Sequence, residues 1–326
     1  MNYQESVQIL EKIKKAKRIL INCHRSPDPD GVGSALALYL VLKKLGKNSD
    51  IICPDEISKE SKFLPSVDII KAVNFEIFDF SSYSLFLVID SCNWSMVVGK
   101  KDIPKPNVPI VVIDHHITSD KFGFINLVDT SKTSAAEVLY LVFNDWKIGI
   151  NKEIAQCLLA GIIADTGVFE YPGVTSSTLD IAKQLIEKGA DKEKIVNNVY
   201  RNISFNQVRF WGEIIKNMQI DKKSKFVWSA VPFAVYESYG KPISGKETAA
   251  SYFAQIIENT DFGMIMVEQE NKVLSVSFRS KDNFDVSRIA EALGGGGHKA
   301  AAGAKVCGFA FDQAVEKVLQ TARKFV

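Results

Sequence analysis

The chain reads Val111-Val112-Ile113-Asp114-His115-His116 where an apolar run of β-branched residues ends in an acid and two histidines. A continuous apolar segment of this kind is typical of a strand buried on both faces of a parallel sheet. Open α/β sheets bind their ligands at the carboxyl ends of such strands, which is where these polar residues stand. Adjacent histidines at a strand end can also be ordinary surface residues, and the rest of the chain decides between these interpretations.

Length and composition limit the class of protein. A chain of 326 residues is too long for one compact core and predicts two domains. The net charge of +2 lacks the basic excess that binding to long nucleic acid usually requires, so we expect a small substrate and no long DNA. We find no signal peptide and no apolar run of about 18 residues, and therefore predict no membrane span. Five scattered cysteines without a C-x-x-C pair indicate reduced thiols and a cytoplasmic protein.

Apolar strand-like segments alternate with helix-like segments through the first part of the chain. We predict strands at 18–23, 49–53, 85–89 and 108–113, and helices at 4–17, 31–45, 133–146, 152–163 and 176–188. This alternation predicts an α/β domain over residues 1–190, with a parallel sheet flanked by helices.

The second part of the chain has a different pattern. We interpret the polar stretch 191–206 as a linker that is partly helical. Beyond it we predict strands at 226–232, 262–268 and 272–279, the last two forming a hairpin, and helices at 247–258, 286–293 and 313–324. Residues 207–326 are therefore expected to form a smaller α+β domain of ordinary size.

Acids and histidines follow several segments of the first domain. They are His24, Asp28 and Asp30 after the first strand, Asp90 after the third, Asp114, His115 and His116 after the fourth, and Asp165 after an apolar helix. Singly, these acids could be helix caps, turn residues or helix-end residues. Together they would meet at one edge of a parallel sheet, where their carboxylates would repel one another unless cations lay between them.

The ligand types in this set indicate a catalytic metal site. Carboxylate oxygens and imidazole nitrogens suit Mn²⁺, Mg²⁺, Co²⁺ or Zn²⁺, and the absence of a cysteine pair argues against structural zinc. Two ions about 3.5–4 Å apart, bridged by one carboxylate, would acidify a water molecule and hold both oxygens of an in-line phosphoryl displacement. The residues predict a two-metal phosphoester hydrolase, with a non-catalytic nucleotide-binding protein as the alternative.

Five motifs occur in a fixed order and carry a resemblance to a known family. HRSPDPDG (24–31), LVIDS (87–91), VVIDHH (111–116) and IADTG (163–167) resemble the motifs of the DHH phosphoesterase superfamily. GGGGHKAAAG (294–303) resembles the glycine-rich signature of the DHHA1 domain. In length and spacing the chain is most similar to the nano-RNase A group of oligoribonucleases, which also dephosphorylate pAp. The resemblance implies a DHH domain and a smaller DHHA1 domain across a cleft.

The resemblance also implies a role for each motif residue. His24 and Asp28 would hold one metal ion, Asp30, His115 and Asp165 the other, and Asp90 would bridge the two. Asp114 would orient a histidine and His116 would face the substrate phosphate, so that Asp90, Asp114 and His116 are the expected catalytic residues. The implied cofactors are two divalent ions, with Mn²⁺ preferred and Mg²⁺ or Co²⁺ as alternatives.

The second domain contains the residues expected to bind substrate. Backbone N–H groups of Gly295, Gly296 and Gly297, with His298 after them, can come close to an anion. Arg279, followed by Ser280, could hold a terminal phosphate with two hydrogen bonds. A flexible hairpin tip and an ordinary exposed arginine are the alternatives. We expect Lys246 and Arg288 to be solvated surface residues.

These features together predict the activity. We expect hydrolysis of short 5′-phosphorylated oligoribonucleotides (nano-RNA) to mononucleotides, and removal of the 3′-phosphate of pAp. The alternative is a phosphodiesterase for cyclic dinucleotides or for linear pNpN such as pApA. The sequence leaves a homodimer open, because no feature in it determines the oligomeric state.

Overall fold

The structure, a computed structural model, describes residues 1–171, 173–242, 245–281 and 283–326. The chain divides into two compact units, Met1–Asn202 and Ile203–Val326. The division lies within the stretch that we interpreted as a linker, half of which forms a helix of the first unit. Among the described helices, none has both the length and the apolar composition needed to cross a membrane.

The first unit is built on a parallel sheet, as predicted. Its described strands are β1 (Arg18–Asn22), β2 (Asn48–Cys53), β3 (Ile70–Ala72), β4 (Leu85–Ile89), β5 (Ile110–Asp114) and β6 (Ile125–Val128). They pair in the order β3-β2-β1-β4-β5-β6, every pair parallel. From β1 the strand order runs through β2 and β3 to one edge of the sheet, and from β4 it runs through β5 and β6 to the other edge. Sheets of this kind bind ligands in the crevice at the carboxyl ends of the two central strands, here β1 and β4.

Helices cover this sheet. They are α1 (Gln4–Lys15), α2 (Pro29–Lys44), α3 (Trp94–Val98), α4 (Ala135–Asp145), α5 (Lys152–Asp165), α6 (Ser176–Glu187) and α7 (Lys192–Val199), with 3₁₀ turns at Lys59–Ser61 and Val67–Ile69. Side chains of β4 alternate between two apolar cores, Leu85, Leu87 and Ile89 in one and Phe86 and Val88 in the other. Burial on both faces explains the continuous apolar runs that identified these strands.

Helix α2 begins earlier than the sequence indicated. We predicted a helix over residues 31–45, but the helix begins at Pro29. Proline fits the first turn of a helix because the N–H that it lacks has no partner there. Asp28 is therefore the N-cap residue, and its carboxylate accepts a hydrogen bond from the Gly31 N–H at 2.9 Å. Asp30 lies in the first turn.

The second unit contains a mixed sheet with helices on both faces. Its described strands are β7 (Gln219–Asp221), β8 (Phe226–Val231), β9 (Phe262–Glu270), β10 (Val273–Ser280), β11 (Gly296–Gly297) and β12 (Ala301–Cys307), in the order β11-β12-β10-β9-β8-β7. The pairs are antiparallel except for β8 and β9, and the predicted β9–β10 hairpin is present. The helices are α8 (Phe205–Lys216), α9 (Phe233–Ser238), α10 (Gly245–Phe253), α11 (Ser287–Ala292) and α12 (Phe311–Ala322), followed by a 3₁₀ turn at Arg323–Phe325.

Candidate metal centre and anion pocket

The acids and histidines of the first unit meet at the carboxyl edge of its sheet. His24 follows β1, Asp90 follows β4, the Asp114-His115-His116 stretch ends β5, Asp165 ends α5, and Asp28 and Asp30 begin α2. Ligand atoms from these residues form overlapping groups in which all atoms lie within 4.8 Å of one another. We call the set His24, Asp28, Asp30, Asp90, His115 and Asp165 the acidic cluster.

Asp90 lies between the two histidines of the acidic cluster. Its Oδ2 is 3.4 Å from Nε2 of His24, and that nitrogen is 3.6 Å from Oδ1 of Asp28. Its Oδ1 is 3.5 Å from Nε2 of His115, which is 3.3 Å from Oδ2 of Asp165. One carboxylate therefore contributes an oxygen to each side of the acidic cluster.

Backbone carbonyls fix the orientation of both histidine rings. The Nδ1–H of His24 donates to the carbonyl of Arg25 at 2.8 Å, and the Nδ1–H of His115 donates to that of Lys132 at 3.4 Å. A carbonyl can only accept, so Nδ1 carries the proton and Nε2 is directed toward the carboxylates. This is the usual arrangement around a histidine that binds a metal ion.

Asp30 is fully buried and anchored to the start of α4. Its two oxygens accept hydrogen bonds from the N–H groups of Ala135 (2.7 Å) and Ala136 (3.0 Å), and Oδ1 also accepts from the Ser34 hydroxyl at 3.1 Å. A helix N-terminus favours negative charge, which offsets part of the cost of burying this carboxylate. Asp30 also shares a group with His115 and Asp165.

Asp114 and His116 form a pair of their own. Asp114 is fully buried, and its Oδ1 accepts hydrogen bonds from the His115 N–H (2.8 Å) and from Nδ1–H of His116 (2.8 Å). That hydrogen bond raises the pKa of His116, whose side chain is 41% exposed. The proton on Nδ1 prevents this nitrogen from binding a metal ion, although it lies 3.6 Å from Asp90. His116 therefore presents its other nitrogen outward.

The ionisable groups of the acidic cluster shift one another's pKa values. Burial alone would lower the pKa of His24 and His115, but neighbouring carboxylates raise both pKa values to about 12. Burial would raise the pKa of Asp90, and the two neighbouring histidine rings instead hold it well below its usual range. Burial raises the pKa of Asp165 to about 6 against the opposing effect of His115. Burial also raises the pKa of Asp30, and the negative charges of Asp90 and Asp165 raise it further. The carboxylates thus attract positive charge from protons or from cations.

The buried atoms of the acidic cluster fit divalent metal ions. Within the described part of the chain, Nε2 of His24, Nε2 of His115 and Oδ1 of Asp90 are buried without a hydrogen bond. An unpaired buried polar group costs about 1–3 kcal/mol, so three together call for a partner, and all three are metal-ligand atoms. A Cβ on Gly31 would come 2.5 Å from Nε2 of His24, so only glycine leaves room beside this atom.

The second unit contains a pocket of about 600 Å³ on one face of β10. The residues that line it include Lys246, Ser275, Ser277, Arg279, Lys305 and the glycines 294–297. Of the predicted substrate residues, Arg279 and all three glycines therefore lie together. Arg279 donates to the Ser251 hydroxyl at 3.1 Å and to the carbonyl of Phe278 at 2.9 Å, which fixes its position beside the pocket.

Two other predicted substrate residues are placed elsewhere. Alternation along β10 puts Ser280 on the face with Leu274, Val276 and Phe278, which pack in the apolar core, and Ser280 is itself buried. His298 is exposed in the turn between β11 and β12, where its backbone exchanges hydrogen bonds with Ala301. Neither side chain lines the pocket.

Lys246 was wrongly expected on the solvated surface. Its side chain is 4% exposed, and its Nζ donates to the Ser275 hydroxyl at 2.6 Å and lies 3.0 Å from a carboxylate oxygen of Glu247. Burial lowers its pKa. The position of Ala249 and Ala250 three and four residues later on α10 could have indicated that Lys246 lies on the buried face of that helix. Arg288, by contrast, is exposed as expected.

Comparison with known proteins agrees with this geometry. Residues 18–162 match the DHH family N-terminal domain, and residues 235–326 match the DHHA1 domain. The chain is 28% identical to the bifunctional oligoribonuclease and PAP phosphatase NrnA of Thermus thermophilus, over 99% of this chain and 95% of that protein. It is 24% identical to the cyclic-di-AMP phosphodiesterase GdpP of Bacillus subtilis, over 94% of this chain and 48% of that protein.

A solved structure has the same fold. The exopolyphosphatase-related protein of Bacteroides fragilis superimposes with a TM-score of 0.89 at 25% sequence identity, covering 98% of this chain and 95% of that one. The likeness extends over nearly the whole of both chains, so both units of the described fold recur together in that protein.

Proposed function

Because the chain belongs to the DHH/DHHA1 phosphoesterase superfamily, whose members are metal-dependent hydrolases, we propose that it cleaves short 5′-phosphorylated oligoribonucleotides to mononucleotides and removes the 3′-phosphate of pAp. One observation carries the proposal: Asp90 contributes an oxygen to each of two histidine–carboxylate groups. A single shared carboxylate between two such groups is what a two-metal phosphoesterase requires.

Each group provides ligands for one divalent ion. His24 and Asp28 would hold the first, and Asp30, His115 and Asp165 the second. Asp90, whose two oxygens lie 3.4 Å from His24 and 3.5 Å from His115, would serve both. Carboxylates with imidazole suit several divalent ions, and the family resemblance favours Mn²⁺, with Mg²⁺ and Co²⁺ as alternatives. Such ions, when bound, supply Lewis acidity to the phosphate and acidify a water molecule.

His116 acts on the substrate rather than on the metal ions. Asp114 holds its Nδ1–H, so Nε2 is the nitrogen that is available to a substrate. Because Asp114 raises the pKa of His116, the ring is protonated more readily and can donate a hydrogen bond to a phosphate oxygen or a proton to the leaving oxygen. Asp114 therefore determines which nitrogen of His116 faces the substrate.

The pocket of the second unit is proposed to bind the phosphate end of the substrate. Lys246, Arg279 and Lys305 line it together with one carboxylate, Glu247, so cations outnumber anions there. The N–H of Gly295 already donates to the carbonyl of Ala290 at 2.8 Å. Substrates then need both an anionic terminus and a phosphoester bond, which short 5′-phosphorylated oligonucleotides and pAp have. The likeness to NrnA over 99% of the chain supports these two substrates.

The alternative function is hydrolysis of cyclic dinucleotides or of linear pNpN such as pApA. It is supported by the likeness to GdpP, of which this chain spans 48%. The chemistry of the acidic cluster is the same for both functions, so that only the substrate distinguishes them.

A parallel assay tests the proposal. The full chain, with Mn²⁺, is incubated with pAp, pApA, a 5′-phosphorylated pentaribonucleotide and cyclic di-AMP, and products are separated by chromatography. We expect turnover of pAp and of the RNA. Turnover of cyclic di-AMP or pApA alone would select the alternative, and no turnover with Mn²⁺, Mg²⁺ or Co²⁺ would indicate a non-catalytic binding protein. An Asp90→Asn variant purified in the same way controls for a contaminating phosphatase.

A further inference from the structure

Asn22 places a buried amide at the end of strand β1, directly after the apolar residues 19–21. Its Oδ1 accepts a hydrogen bond from the N–H of Ile89 at 3.0 Å, and its Nδ2 donates to the hydroxyl of Ser91 at 3.3 Å. That hydroxyl donates in turn to the carbonyl of Ile89 at 3.0 Å. The backbone pairing of β1 with β4 ends at Ile21 and Leu87, so beyond it the Asn22 side chain replaces the backbone as the partner of β4.

These hydrogen bonds lie on either side of Asp90, the residue close to both histidines of the acidic cluster. Asp90 lies between Ile89 and Ser91 and has a φ of 53°, a left-handed conformation that few residues other than glycine adopt. Its N–H donates to the carbonyl of Ile113 at 3.0 Å, which fixes it from the side of β5. Asn22 fixes the residues before and after it from the side of β1. Surrounding structure has to impose such a backbone conformation.

We propose that Asn22 and Ser91 are positioning residues, which hold the end of β4 so that Asp90 faces His24 and His115 at once. The inference rests on the metal site of the proposed function. It explains the residue type, because an amide has a donor and an acceptor together. Leucine at position 22 would have neither, and aspartate would add a negative charge beside Asp90.

Binding of Mn²⁺ tests the inference without reference to catalysis. Free Mn²⁺ is measured by electron paramagnetic resonance in titrations of the full chain, and thermal unfolding is followed on the same samples. We expect Asn22→Leu and Ser91→Ala to weaken Mn²⁺ binding about 10-fold or more, as loss of groups that orient metal ligands usually does. Ser91→Thr retains the hydroxyl and is expected to bind as the wild type does.

Ser6→Ala serves as the matched control. Ser6 is fully buried and donates to the carbonyl of Tyr3 at 2.7 Å and to Asp145 at 2.9 Å, outside the acidic cluster. We expect it to lower the unfolding temperature and to leave Mn²⁺ binding unchanged. Equal weakening by Ser6→Ala would assign the effect to general destabilisation and overturn the inference.

The remaining outcomes separate the two proposals. A wild-type chain that binds no Mn²⁺ would refute the proposed metal site. A wild-type chain that binds Mn²⁺ no more tightly than Asn22→Leu and Ser91→Ala would refute the positioning role alone. If Asn22→Leu does not fold, the comparison of Ser91→Ala with Ser91→Thr decides.

Discussion

A single carboxylate distinguishes the two adjacent histidines of the VVIDHH stretch. Asp114 binds Nδ1–H of His116, whereas the ring of His115 is held by a backbone carbonyl and turned toward Asp90 and Asp165. Consecutive histidines thus obtain different roles because different acceptors hold their Nδ1–H groups. His115 is a proposed metal ligand, and His116 is the proposed substrate contact.

Removal of the His116 ring tests this distinction. For His116→Ala we expect kcat to fall about 10²–10³-fold, the usual effect of losing one group that stabilises transition-state charge. Binding of Mn²⁺ should be unchanged, because Asp114 occupies Nδ1 of His116. The measurements are steady-state hydrolysis of pAp and titration with Mn²⁺. Weaker Mn²⁺ binding would make His116 a metal ligand and contradict the assignment.

Proton release on metal binding is the second prediction. Neighbouring carboxylates raise the pKa values of His24 and His115 to about 12, which favours a second proton on each ring until a metal ion binds. A metal ion needs the lone pair on Nε2 and has to displace that proton. Mn²⁺ affinity should therefore increase as pH rises from 6 to about 8, with protons released. Calorimetry in buffers of different ionisation enthalpy measures this release, and a binding enthalpy independent of the buffer would contradict it.

At the residue scale, a candidate site residue could be recognised from the sequence where it directly follows the end of a strand. Asp90 and Asp114 could be recognised because an acid follows an apolar run, and the structure brings both to one edge. Asn22 could not, since burial of its side chain depends on Ser91, a partner distant in sequence. For Lys246, the helical spacing of Ala249 and Ala250 indicates a buried face, but its partner Ser275 is again distant in sequence. Ser280 lies on the core face of β10, because the alternation of side chains along that strand decides which of them face the pocket.

At the element scale, α5 holds the acidic cluster against α2 and α4. A Cβ on Gly161 of α5 would come within 2.3 Å of Oδ1 of Asp30 and 2.8 Å of the Ala136 side chain. No residue larger than glycine fits between these helices, although glycine is unfavourable inside a helix. Close approach of α5 therefore keeps Asp30 on the N–H groups of α4.

Alanine at this position should disrupt both packing and metal binding. We expect Gly161→Ala to lower the free energy of unfolding by about 1–3 kcal/mol, as overpacking usually does, and to weaken Mn²⁺ binding by displacing Asp30. Gly212→Ala, in helix α8, is the matched control because a Cβ there meets nothing within 4 Å. It should raise stability by about 0.5–1 kcal/mol. Urea unfolding measures the stability of both variants, and titration measures Mn²⁺ binding. A Gly161→Ala protein as stable as the wild type would contradict the packing argument.

The long elements could be predicted from the sequence and the short ones could not. Strands β1, β4 and β5 and the major helices of the first unit have strong apolar patterns that survive in the structure. Strands β3, β6 and β7 have three or four residues each, too few for periodicity to identify. The parallel pairing of β8 with β9 also depends on tertiary packing, which no local pattern reports.

At the scale of the whole molecule, the residues proposed to bind metal ions and those proposed to bind substrate lie in different units. The acidic cluster lies within Met1–Asn202, and the pocket with Lys246 and Arg279 lies within Ile203–Val326. Metal binding and substrate recognition should therefore be separable by mutation.

Lys246→Met tests this separation, because methionine retains the length and apolar stem of lysine and removes its charge. We expect KM for pAp to rise about 10-fold or more, the usual cost of losing a hydrogen bond from a charged group, while Mn²⁺ binding stays as in the wild type. Arg288→Met is the control, since Arg288 is exposed against the Phe325 ring and does not line the pocket. Its KM should not change. Steady-state kinetics with pAp and titration with Mn²⁺ measure both parameters. A lower Mn²⁺ affinity in Lys246→Met would show that the units are coupled, and an unchanged KM would show that the pocket does not bind the substrate phosphate.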